Sequence, residues 1–207
     1  QGESLDARYS YGYFNSSKDY EFILKKLLSN DWLGLIIKPK KPGLLKEKLS
    51  SSYYLLDEAI NTGRCHISLK TKSNHVKDFD NPPCVAANAS DLAIHSSPAL
   101  TCTPGIEAYL SNTPTLFYDP FNNIFSKIRN INNIKNVFNN WNDLWDASIN
   151  FLFNNQKDIY GNYKYLINKI DPFNDGNASN RIIKYLYDLS EISNNNYSNE
   201  KILNIVA

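Results

Sequence analysis

The sequence predicts an α/β protein: an open parallel sheet with helices on both faces, followed by a helical tail. Three observations predict it. Short apolar runs alternate with segments of helical period from about Tyr9 to Tyr118, the pattern of a sheet built from strand–helix–strand units. Within that stretch, Ser90 to Pro120 reads as strand, hydroxyl-rich turn, short helix and second strand. After Asp119 the strand signals thin out and tryptophan-bearing helical stripes take over. The sheet domain is accordingly expected over residues 1–139, with 140–207 as a helical extension packing on it.

Each element has its own signal. Tyr9 to Phe14 alternates loosely, as a first strand does. Lys18 to Ser29 carries Phe22, Ile23, Leu24, Leu27 and Leu28 at helical spacing. Leu33 to Ile37 is a short apolar run closed by Lys38-Pro39-Lys40. Leu44 to Ile60 predicts a helix interrupted near Ser50-Ser51-Ser52, with Gly63 as its stop. Cys65 to Leu69 is a further strand, and Val85 to Ala89 a short helix. Asp91 to Ile94 has the brevity and apolarity of a buried parallel strand. Pro104 and Gly105 open the next helix, where the missing proline N–H would be unpaired in any case. Thr113-Pro114 ends that helix, and Thr115 to Tyr118 is the next strand. Val137-Phe138 predicts the last strand. Trp141 to Phe153 sets Trp141, Leu144, Trp145, Ile149 and Leu152 on one helical face. Ala178 to Leu189 sets Ile182, Ile183, Leu186 and Leu189 on another, with Asp175 as its cap.

Composition narrows the function classes. A hydrophobic fraction of 42% over 207 residues is enough for a sizeable core. A net charge of +1 supplies no basic field, which argues against nucleic acid as a partner. No apolar run approaches the ~20 residues that span a bilayer, and no secretory signal is visible. The 3 cysteines, Cys65, Cys84 and Cys102, are odd in number and form no CxxC pair. That usage favours reduced thiols and a cytoplasmic location. Gln1 opens the chain and methionine is absent, so a piece of a larger protein is expected.

The candidate chemistry gathers where ligands sit in open α/β sheets, beyond the carboxyl ends of the strands. Ser96 and Ser97 follow one strand, and Thr101, Thr103 and Gly105 precede or open the helix after it. Free N–H groups and the positive dipole end at a helix start suit an anion, most often a phosphate. His95 adjoins the serines and can either contact ligand or pack. Glu107, three residues beyond Pro104, can complement the helix dipole or accept hydrogen bonds from a ribose diol. Lys38 and Lys40 follow an earlier strand and can reach a phosphate, with Pro39 fixing the chain after Lys38. Cys65-His66 and His75 make no metal-ligand spacing with a second cluster, so no metal is expected. Nucleophile-elbow, Walker and dinucleotide glycine motifs are all missing, which argues against a hydrolase triad or a dinucleotide site.

These residues resemble a known family. Ser90 to Pro120 resembles the nucleotide-binding half of GT-B glycosyltransferases, where a short helix bearing a glutamate holds the sugar nucleotide. Lys38-Pro39 and Ser96-Ser97 look like the basic-Pro and Ser-Ser motifs of the members that use CMP-activated sugars, the bacterial sialyl- and Kdo-transferases; many of those have His-Pro instead of Lys-Pro. Phe138 to Leu144 and Asp171 to Gly176 resemble segments of capsule and lipopolysaccharide biosynthesis proteins, which usually carry arginine where Asn174 and Asn177 stand. The resemblance implies one Rossmann-like half of a GT-B fold that binds a CMP-sugar donor without a metal or other cofactor. Lys38, Ser96 and Ser97 would meet the CMP phosphate and Glu107 the ribose or sugar. A saccharide or lipid-linked saccharide acceptor, a further N-terminal domain, and peripheral contact with the inner membrane are implied as partners. Neither nucleophile nor base is indicated. CDP-glycerol transferases, UDP-sugar epimerases and a non-catalytic scaffold are the competing readings.

Overall fold

The computed structural model describes residues 13–39, 45–49, 52–68, 82–96, 103–120, 136–154, 156, 168 and 171–194. The chain forms two compact units, Gln1–Tyr163 and Lys164–Ala207. The helix Trp141–Phe153 lies inside the first unit.

Helix α1 (Tyr13–Leu28) opens the first unit. Strand β1 (Leu35–Ile37) follows, then α2 (Leu45–Leu49), α3 (Tyr53–Asn61) and strand β2 (Cys65–Ile67). β1 and β2 pair in parallel, Leu35 opposite Cys65 and Ile37 opposite Ile67. Their core is aliphatic: Leu24, Leu27, Ile37, Leu45, Leu49, Leu55, Leu56, Ala59 and Cys65 form one buried cluster. Burial also pushes the Cys65 thiol pKa up, so it stays protonated as a small apolar group. Gly63 adopts φ +74 at the turn between α3 and β2, a conformation that favours glycine. Next to it, the Arg64 guanidinium reaches back and donates to the carbonyls of Leu27, Asn30 and Leu33 at 2.9, 2.7 and 2.9 Å. The last carbonyls of a helix have no partner within the helix. Arg64 supplies one, together with a cation at the negative dipole end.

A second parallel sheet has the order β3-β4-β5. It comprises β3 (Ala93–Ser96), β4 (Thr115–Tyr118) and β5 (Val137–Phe138), with α4 (Pro83–Asn88) before β3 and α5 (Thr103–Leu110) between β3 and β4. All four β4 residues are buried, as expected for the central strand of a sheet covered on both faces. Ala93 pairs with Thr115, His95 with Phe117 and Ser96 with Tyr118. α5 ends on Asn112, whose φ of 63 is left-handed; its N–H donates to the Tyr109 carbonyl, and the Thr113 N–H to that of Ala108. That pair of bonds satisfies two orphan carbonyls of the helix. The Thr113 hydroxyl then donates to the Ala87 carbonyl and fixes the turn to α4.

Helix α6 (Trp141–Phe153) starts on Asn140, whose side chain accepts the Asp143 N–H. Its buried side is Leu144, Ala147, Ser148 and Phe151. Trp141 stacks on Phe22 of α1 and on Tyr118 of β4, with ring centroids 5.4 and 4.6 Å away. α6 thus joins the first helix to the second sheet.

In the second unit, α7 (Ala178–Asn194) is preceded by the Asp171–Gly176 corner. Asp171 Oδ1 accepts the Asn174 N–H, and Asp175 Oδ1 accepts the Asn177 N–H. Arg181 grips both Asp175 oxygens at 2.8 and 3.0 Å, and its guanidinium lies 4.1 Å over the Phe173 ring. That bidentate pair holds the Asp175 carboxyl at a pKa of about 2.

The mixed α/β class and the parallel strand pairing agree with the sequence, but three details differ. The described strands form two small sheets rather than one. Tyr13 and Phe14 begin α1 instead of closing a strand; residues 9–12 lie outside the described residues. β3 starts at Ala93 rather than Asp91, because the ladder begins where the Ala93 N–H meets the Pro114 carbonyl at 2.8 Å.

Candidate functional site

The carboxyl end of β3 and the start of α5 form the site that the residues build best. Ser96 is the last residue of β3, so the strand runs two residues beyond an end at Ile94. Ser97, Thr101 and Lys40 lie outside the described residues. α5 opens at Thr103, which is exposed, and Pro104 takes its second position, where no helical bond is lost.

Gly105 explains how α5 reaches the sheet. A Cβ on it would fall 2.5 Å from two Phe117 ring carbons and 3.4 Å from the His95 Cβ. Only a residue without a side chain lets the first turn of α5 settle on the β3–β4 pair. Gly105 is buried, so its contribution is close helix–strand approach at the edge where a ligand would lie.

His95 is half-buried beneath that turn and meets Phe117 edge-on, with centroids 5.9 Å apart and planes at 89°. Burial lowers its pKa to about 4, which keeps the imidazole neutral at pH 7. Its described neighbours are therefore those of a packed ring. Glu107 is half-buried and lies beyond the first turn of α5, because the helix begins at Thr103. The dipole effect fades past the first turn, so that structural reading of Glu107 loses its basis. Lys38 follows β1 and is half-buried, with Pro39 buried behind it. It stands on the other sheet, so the structure gathers His95, Ser96, Gly105 and Glu107 around β3 and α5, and Lys38 at the end of β1.

One residue escaped the sequence reading. Asp119 directly follows β4, is only 3% exposed, and donates its N–H to the Phe138 carbonyl at 2.7 Å. A carboxylate at the end of the central strand sits on the same edge of the sheet as Ser96. Its signal was an acid placed immediately after the short strand Thr115–Tyr118, which Asp119-Pro120 disguises as an ordinary turn.

Among the described residues, no group of three or more His, Cys, Asp and Glu side chains is placed to hold a metal. No described helix is long and apolar enough to cross a membrane. No family model matches the chain, and no curated protein or solved structure matches it. The class that fold and site define is a mixed α/β protein with short parallel sheets and a polar edge at the carboxyl ends of β3 and β4.

Proposed function

We propose that this chain is the donor-binding domain of a bacterial glycosyltransferase that builds surface polysaccharide from a CMP-activated sugar such as Kdo. The observation that carries the reading is the β3–turn–α5–β4 unit, in which Gly105 brings a helix start against the strand edge beside Ser96. Parallel strands, a helix N-terminus and hydroxyl residues in the intervening sequence suit an anion such as a nucleotide phosphate. Lys38-Pro39, directly after β1, supports the reading as a cation at the carboxyl end of a strand of the other sheet. In this reading the fold is one Rossmann-like half of a GT-B enzyme, and Lys38, Lys40, Ser96, Ser97, Thr101 and Thr103 surround the phosphate, with Glu107 toward the ribose or sugar.

The domain's task would be electrostatic. As the glycosidic bond to CMP breaks, negative charge grows on the departing phosphate, and preorganised donors lower the barrier by meeting it there. The domain binds donor, a second domain supplies the acceptor, and turnover requires both. Calorimetric titration with CMP, CDP, UDP and GDP tests the reading. CMP binding in preference to UDP and GDP is the expected outcome, and no CMP binding at millimolar concentration overturns it. Competition by CDP-glycerol over CMP-sugars would favour the glycerophosphotransferase reading instead.

A further inference from the structure

We draw no further inference here: the strongest candidate, the exposed apolar face that Ile182, Ile183 and Leu186 form on α7, carries nothing because nothing in the structure shows what covers it.

Discussion

The Trp141 indole Nε1–H donates to Asp19 Oδ1 at 2.6 Å, across 122 residues of sequence. With its ring stacked on Phe22 and Tyr118, Trp141 ties α1 to α6 and to the central strand of the second sheet. Asp19→Ala would leave a part-buried indole donor unmatched and should cost about 1–3 kcal/mol of stability. Asp19→Asn keeps an acceptor and should cost less. A double-mutant cycle with Trp141→Phe, measured by denaturant unfolding, should return a clear coupling energy; additive losses would mean that the bond contributes nothing to joining these helices.

Gly105→Ala should destabilise the first unit by about 1–3 kcal/mol, because the buried Phe117 ring cannot leave the 2.5 Å contact without disturbing the sheet. Phe117→Leu, which costs stability alone, should recover part of that loss in the Gly105→Ala background. If it deepens the loss additively, the two side chains do not meet as described.

His95 gives a pH signature. In the unfolded chain its pKa returns toward 6.5, whereas burial holds it near 4 in the fold. Between those values the unfolded state binds a proton that the folded state refuses. The His95 contribution is therefore complete above about pH 7 and erodes as pH falls toward 4, by about 3 kcal/mol in all. His95→Phe should flatten this part of the stability–pH curve, which thermal melts between pH 4 and 7.5 would read.

Arg64→Met removes the donor shared by the carbonyls of Leu27, Asn30 and Leu33. A loss of about 1.5–3 kcal/mol is expected, with accelerated amide exchange at the end of α1. Arg64→Lys should fall between, since all three bonds leave the single nitrogen Nη1 and the shorter lysine must bring its ammonium to the same point. An Arg64→Met protein as stable as the parent would show that water caps these carbonyls equally well.

Under the proposed function, nucleotide affinity responds to the groups assigned to the phosphate. Lys38→Ala and Ser97→Ala are each expected to weaken CMP binding about tenfold, the loss of one contact of roughly 1.4 kcal/mol. Unchanged CMP affinity in both variants would overturn the assignment of these two residues to the phosphate.

The helices were legible where apolar spacing was strong. Leu24 and Leu27 gave α1, Gly63 gave the stop after α3, and Trp141 to Phe153 gave α6 with its bounds. Strands of three or four residues were found, but their registers were not, because so short a run fits more than one pairing. The sequence marks Asp175 as the cap of α7, whereas the carboxylate accepts the Asn177 N–H ahead of the helix and is gripped by Arg181, which depends on where the first helical turn points the guanidinium.

By itself the sequence determined the mixed α/β class, the parallel strand–helix alternation and the glycine at the start of α5. Those follow from local periodicity and turn chemistry, which neighbouring residues set. Only the tertiary structure decided that the strands divide into two sheets, that His95 packs on Phe117, and that Asp119 lies buried beside Ser96 on one sheet edge. It also decided that Trp141 meets Asp19 and Trp32 meets Phe153. These pairings join residues far apart in the chain, and their partners are selected by close packing and burial of polar groups after the elements have formed.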